Sequence, residues 1–309
     1  MRPFRFAAQL RGGRSAQEWR STAQRAEDQG FSTLLMPDHF DEQLAPLPAL
    51  MAAADATTTL RVGALVFDND YKHPLVLAKE AATLDLLSDG RLELGIGAGW
   101  MASDYEQSGI ALDRAGVRID RMVEGIAVLK GLFTGEPFSF EGTHYRISGH
   151  KGTPLPVQRP HPPIIIGGGA KRVLSIAARE ADIVSVNFNM HAGAVNEQSM
   201  VTGTGDATAE KIGWIRDAAG DRFDDIELEL TAFVARITDD AASFTAKLGG
   251  AMGLTPEQAA GSPHFLVGSE DQIVERLQQL REEHGFSYIA FSGPSDQAMV
   301  PVVARLAGT

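Results

Sequence analysis

The chain has no cysteine in its 309 residues. That excludes a disulfide framework, thiolate metal sites and a cysteine nucleophile, and it suits a reducing compartment. Aromatic residues make up only 7%. Positive charge is also in short supply, with 28 Lys and Arg against 40 Asp and Glu, a net charge of −12. Such a balance argues against general affinity for nucleic acid, and any anionic ligand must be held by a local basic patch against the overall field. No apolar run approaches the roughly 20 residues that span a bilayer. The opening Met1-Arg2-Pro3-Phe4-Arg5-Phe6 lacks the apolar core of a signal peptide. The expectation is a soluble, cytoplasmic protein with no membrane or nucleic-acid partner.

What the chain does have is a hydrophobic content of 44% and 32 glycines, enough for one large core with many tight turns. Its most informative stretch is Pro163-Ile164-Ile165-Ile166-Gly167-Gly168-Gly169-Ala170-Lys171-Arg172. The β-branched run predicts a buried strand and Lys171–Glu180 a helix. A strand–glycine–helix junction points backbone N–H groups at a helix N-terminus, which suits a phosphate. The same spacing also fits a tight turn with no ligand.

Periodicity extends the pattern along the chain. Strands are predicted at Phe4–Gln9, Thr33–Met36, Arg61–Val66, Leu92–Gly97, Ile164–Ile166, Ile183–Val186, Glu227–Ala235 and Tyr288–Phe291. Helices are predicted from Ser15 to Gln29 and over Pro46–Ala56, Leu75–Leu87, Arg118–Phe133 and Glu270–His284, with Ser15/Glu18 and Ser269/Gln272 spaced as capping boxes. Eight strands alternating with helices predict a (β/α)8 barrel. The whole of 1–309 is expected to be one such domain. Excursions are expected at 135–163, the first holding a small hairpin, and in the second half at 191–223 and 239–265. Chemistry in such barrels lies just after the strands, which singles out Asp38-His39, Val66–His73, Gly99-Trp100, the glycine triplet and Asn187–Asn189.

Several motifs fail. Gly95-x-Gly97-x-Gly99 lacks the last glycine of a dinucleotide fingerprint, its place taken by Trp100. His144, His150 and His161 have no metal-ligand spacing, and no Gly-x-Ser-x-Gly elbow or phosphate-loop consensus occurs.

Taken together, Met36-Pro37-Asp38-His39, Arg61-Val62-Gly63 ahead of His73-Pro74, Asp89-Gly90-Arg91 leading to Leu94 through Trp100, Gly116-Val117-Arg118, Pro163 through Gly169 and Ala177 through Asp182 resemble the luciferase-like family of flavin- and deazaflavin-dependent oxidoreductases. They are most similar to its subgroup using coenzyme F420, a deazaflavin. The matches come in family order over most of residues 1–190, and Trp214–Gly220 and Val267–Ile273 extend the likeness. The resemblance implies a TIM barrel binding F420, or FMN as the alternative, and a homodimer. It implies a catalytic His39 and a cofactor held by Asp38, Leu65, Val66, Gly99, Trp100, Gly167, Gly168, Gly169, Ala170 and Lys171. It also places a non-proline cis peptide near Leu65-Val66.

The residues themselves leave alternatives open. An imidazole exchanges protons near neutral pH, yet His39 also suits a structural hydrogen bond. Asp38 suits the cofactor ring or its own loop. Trp100 replaces the carboxylate of sugar-phosphate-oxidising relatives; an indole offers only an N–H, so it stacks on the ring, lines an apolar pocket or sits in the core. A planar organic substrate is favoured over a sugar phosphate. The reaction expected is hydride transfer between deazaflavin and a small molecule, reducing an activated C=C or C=O. The alternatives are an FMN-dependent monooxygenase and a non-catalytic binding protein.

Overall fold

The computed structural model describes residues 1–293 and 295–309. Eight parallel strands form its centre: β1 (Arg5–Gln9), β2 (Thr33–Met36), β3 (Arg61–Ala64), β4 (Leu92–Gly97), β5 (Ile164–Gly168), β6 (Ile183–Val186), β7 (Glu227–Ala232) and β8 (Phe286–Ser292). Each pairs with its neighbour in chain order, and β8 returns to β1 with Arg5 opposite Tyr288 and Gln9 opposite Ser292. The sheet is therefore closed, and the chain folds as the expected TIM barrel.

Eight helices alternate with the strands: α1 (Ala16–Asp28), α2 (Pro46–Ala56), α3 (Pro74–Leu87), α4 (Ala115–Phe133), α5 (Lys171–Glu180), α6 (Gly205–Ala219), α7 (Glu270–His284) and α8 (Val300–Leu306). Their boundaries follow local chemistry. Pro46 and Pro74 occupy first-turn positions where no N–H is needed. Ser269 and Gln272 form a reciprocal capping box on α7. At α1 only half the expected box forms: the Ser15 hydroxyl accepts from Glu18 N, whereas the Glu18 carboxylate accepts from Arg14 N instead of Ser15 N.

Two apolar layers result. The large one lies between strands and helices, with Phe6, Leu34, Leu94, Ile166 and Leu277 all buried in it. The small one fills the barrel itself, from Ala7, Leu35, Ile165, Ile183, Tyr288 and Ala290. The N-terminal end of the barrel is plugged by charge. Arg5 donates to Glu93 at 2.6 Å and reaches Glu227 through two bonds of 2.8 and 2.6 Å, while Arg61 donates to Glu93 at 2.8 Å. The Tyr288 hydroxyl completes Glu93 at 3.0 Å.

Three segments depart from the sequence expectation. The predicted third strand stops at Ala64 instead of Val66, and Phe67–Asp68 resumes pairing with β4; the Leu65–Val66 peptide between them is cis, as the resemblance implies. The predicted strand Glu227–Ala235 breaks after Ala232, because the chain leaves the barrel at Phe233 and Val234–Ile237 pairs with Phe265–Gly268 in a separate two-stranded sheet. Within 191–223, the residues of Gly205–Ala219 form the sixth barrel helix, packed on α5. The irregular part of that segment thus ends at Thr204. The early hairpin forms as Pro137–Glu141 against Arg146–Lys151, its tip fastened by Glu124, which accepts N–H bonds from Thr143, His144 and Tyr145.

Candidate functional site

The C-terminal ends of the strands open into two connected lobes. The first, of about 270 Å³, has a floor of Leu65, Val66, Gly97, Gly99, Gly167 and Ser185, walled by Asp38, Asp68, Trp100 and Arg118. The second, of about 380 Å³, lies towards β1 and β8 and is lined by Gln9, Phe188, Met200, Phe233 and Met252 among others. His39, Leu65, Trp100, Met101, Asn187, Phe188 and Met190 line both lobes. The junction is therefore where His39 sits.

His39 follows β2 because Pro37 ends the strand at the barrel mouth. Its Nδ1 lies 2.7 Å from Asp104 Oδ2, and the Tyr71 hydroxyl donates to the same oxygen at 2.9 Å. A carboxylate can only accept, so Nδ1 carries the proton and Nε2 is left to exchange one. Trp100 stands edge-on to the imidazole, centroids 5.6 Å apart at 89°. An imidazole oriented by a carboxylate beside an indole wall can move a proton at Nε2.

Asp104 was not singled out in the sequence, nor was its helix, Ala102–Ser108. The signal was present: Gly109, at φ +75°, stops a segment opened by small and acidic residues. Asp68 and Tyr71 were missed as individuals, although both fall in the stretch after β3 where barrel chemistry was expected. The Asp68 backbone N–H donates to Asp38 at 3.2 Å. Burial, with help from the neighbouring Asp70 and Asp38 carboxylates, pushes the Asp68 carboxyl up to about 7. Burial also raises Asp38. Two carboxyls that ionise reluctantly thus flank His39 on the side of the first lobe.

The glycines are required by close approach. Gly99, at φ +72°, passes so near the acid cluster that a Cβ would lie 1.8 Å from the Tyr105 hydroxyl and 2.5 Å from Asp68 Oδ2. None of Gly167, Gly168 and Gly169 has positive φ. Gly169 is pressed against the Phe188 and Asn187 backbone, its Cβ placed 2.2 Å from Phe188 C and O, and a Gly168 Cβ would meet Val173 at 2.6 Å. The triplet lines the first lobe along with Ala170, the uncapped start of α5. Lys171 does not. It is exposed, and its ammonium lies 6.0 Å from the Trp214 ring centroid, outside the lobe. The cation that faces this end is Arg118, whose Nη1 donates to Asp113 O at 3.0 Å and whose buried Nε has no partner. A guanidinium and a helix N-terminus lining one lobe together suit an anionic group.

The first lobe combines glycines on its floor, a bare helix start and the Arg118 guanidinium, a set of groups that fits an anion-bearing cofactor. Among the described residues, no cluster of three or more His, Asp or Glu is arranged to hold a metal ion, and no helix is long and apolar enough to cross a membrane.

Residues 1–200 match the model of the luciferase-like monooxygenase family. The chain is 32% identical over 176 residues to the FMNH2-dependent dimethylsulfone monooxygenase of Pseudomonas putida, covering 55% of this chain and 48% of that one. It spans about half the length of the curated relatives it matches. Its fold superposes on the coenzyme F420-dependent tetrahydromethanopterin reductase of Methanopyrus kandleri with a TM-score of 0.78 at 18% identity, covering 99% and 98% of the two chains. An F420-dependent secondary alcohol dehydrogenase, solved with an F420–acetone adduct, superposes at 0.77 with 15% identity over 99% of both. At these identities the likeness is one of fold. The matched family model covers both β2 with His39 and the β5 glycine junction, and the chain belongs to the luciferase-like monooxygenase family.

Proposed function

We propose that this chain is an oxidoreductase that moves a hydride between a deazaflavin of the F420 type and a small organic substrate, reducing an activated C=C or C=O. The observation that carries the reading is the position of His39, which lines both lobes and is oriented by Asp104. When bound, the cofactor supplies a ring carbon that gives or takes hydride, and the protein supplies placement and electrostatics.

Leu65 and Val66, Gly99, Trp100 and the run Gly167–Ala170 would hold the ring system, with Asp38 at its edge. The Arg118 guanidinium and the first N–H groups of α5 would hold its phosphate. His39, protonated at Nδ1 through Asp104, would give or take the accompanying proton at Nε2. Trp100 and Phe188, which line both lobes, would shield the junction once it is filled, and confinement of two reactants in adjoining lobes would make their encounter effectively intramolecular.

A second reading, an FMN-dependent monooxygenase, is favoured by the 32% identity to the dimethylsulfone enzyme. Fluorescence titration of the purified protein with F420 and with FMN separates the two. Tight F420 binding and turnover of its reduced form support the first; tight FMN binding with no affinity for deazaflavin overturns it. The reading also takes the chain as a homodimer, supported by the exposed Val76 and Leu87 on α3 and Val123 on α4. Sedimentation showing a monomer at micromolar concentration would remove that part.

A further inference from the structure

The second lobe has a chemistry of its own. We propose that it binds a neutral, predominantly apolar molecule with one hydrogen-bonding oxygen as its polar end. Calling that molecule the substrate rests on the cofactor reading of the first lobe.

The lobe's outer wall belongs to neither barrel layer. Phe188, Met200, Leu254, Ala259 and Phe265 form a separate buried cluster, with Met190, Phe233 and Met252 partly buried against it. These residues come from the irregular chain after β6 and from the segment that leaves the barrel after β7. The two insertions thus fold together over the barrel mouth, and the uncovered side of their small core is the wall of the lobe. At about 380 Å³ the space falls at the small end of ligand sites, which run from roughly 300 to 1,000 Å³. Methionine walls, unbranched and polarisable, adapt to an irregular apolar surface.

Charge complementarity excludes ions. Arg11 and His39 are the only charged or titratable side chains lining the lobe among the described residues, and no carboxylate lines it. The Arg11 side chain is half exposed and pairs through Nη1 with Asp41, and His39 Nδ1 is bonded to Asp104. A cation would find no acid in the lobe, and an anion only a water-exposed guanidinium already paired with Asp41, while an unpaired buried charge is costly. The net charge of −12 adds a further field against anions. The first lobe differs in that it is lined by Arg118, whose hydrogen bond among the described residues goes to the Asp113 carbonyl and not to a carboxylate. What polarity the second lobe has is concentrated at its floor, in Gln9, Asn187, Ser292 and His39. Gln9 and Ser292 face each other across the β1–β8 pair, and Gln9 Nε2 donates to Leu65 O at 3.3 Å. A single polar end set on this floor leaves the apolar body against the insertion wall.

The test uses the full chain and two probes of matched length, neutral 4-phenyl-3-buten-2-one and its carboxylate counterpart cinnamate, followed by calorimetric titration. The neutral probe should bind at least tenfold more tightly than cinnamate. Val195→Glu, at a lining position that is 61% exposed and so safe for folding, and Met252→Glu should each weaken the neutral probe tenfold or more. Both should leave affinity for F420 or FMN within twofold. Equal or tighter binding of cinnamate, no binding of either probe, or unchanged neutral binding in both variants would overturn the proposal. Because the probes are titrated without cofactor, loss of the cofactor reading would show separately, as failure of both F420 and FMN to bind.

Discussion

Asp104 holds His39 from a helix that the sequence reading did not anticipate, Nδ1 to Oδ2 at 2.7 Å, with the Tyr71 hydroxyl on the same oxygen. The pair fixes both the ring orientation and the tautomer. His39→Ala should bind cofactor nearly as well as wild type while kcat falls roughly 10²–10⁴-fold, the usual worth of a general acid or base. Asp104→Asn is the sharper test of orientation. Its amide can donate to Nδ1 and so favours the wrong tautomer; kcat should drop with KM for cofactor little changed, and Asp104→Glu should restore part of it. Wild-type turnover in His39→Ala would remove this histidine from the chemistry.

Gly99 and Gly109 share a left-handed backbone, at φ +72° and +75°, yet their surroundings differ. A Cβ on Gly109 meets nothing within 4 Å, whereas on Gly99 it would collide with Tyr105 and Asp68. Gly109→Ala should cost only the left-handed backbone term, about 1–2 kcal/mol. Gly99→Ala should cost clearly more and weaken cofactor binding as well. Urea melts of the two variants, alongside cofactor titrations, give the comparison. Equal losses in both would mean that the acid cluster yields freely.

At the opposite end of the barrel, Glu93 takes bonds from Arg5, Arg61 and Tyr288. Breaking a buried ion pair from one side costs about 3–5 kcal/mol. Glu93→Gln should approach that figure from below, since the Arg61 side chain is 28% exposed and can turn to water. Cofactor affinity should be unchanged, because the plug lies at the end of the barrel remote from the lobes. A denaturant midpoint equal to wild type would show that the plug is energetically neutral.

The parts legible in the sequence were those whose signals are local. Pro37 stops β2 within its own segment, Pro46 opens α2, and Ser269 with Gln272 opens α7; each boundary is as expected. The glycine triplet was found because three small residues after a β-branched run are conspicuous, although the reason for them is contact with Phe188, Asn187 and Val173. Partners distant in sequence left no such mark. Asp104 meets His39 only after β2 and β4 have been brought into one barrel. Arg118 was read as the first residue of a helix that in fact starts at Ala115, and its orphan Nε exists only in the folded chain. Lys171 shows the converse: adjacency to the triplet suggested a role, but a helical residue one step on points to the outside.

Glu229 on β7 is wholly buried, bonded to Thr231 at 2.9 Å, and burial pushes its carboxyl up to about 7. A carboxyl raised from its unfolded value near 4 keeps its proton longer in the folded state. Between about pH 4 and 7 the native protein therefore binds more protons than the unfolded chain, so this group's contribution falls as pH rises through that window and is level above it. Glu229→Gln removes the effect. The stability of the variant relative to wild type should increase from pH 5 to pH 8, read from denaturant midpoints. A difference independent of pH would show that Glu229 titrates as an ordinary carboxylate.

Lys211 on α6 is buried, and its ammonium donates to the carbonyls of Asn187 at 2.6 Å and Thr202 at 2.5 Å. Those two carbonyls stand at either end of the chain that supplies Phe188, Met190, Val195 and Met200 to the lobes. Burial lowers the Lys211 ammonium to about 8, a cost that the two bonds offset. Lys211→Met keeps the apolar stem and the length but leaves two carbonyls unsatisfied, at about 1–3 kcal/mol each if they stay buried. The cheaper outcome is for the segment to open to water. Amide exchange over 187–203 should therefore accelerate by at least tenfold while exchange in β1, β2 and β8 stays slow. Ligands of both lobes should weaken together, since Asn187, Phe188 and Met190 line both. Exchange at the wild-type rate across 187–203 would mean that the loop is held by the packing of Phe188 and Met200, with Lys211 a passenger.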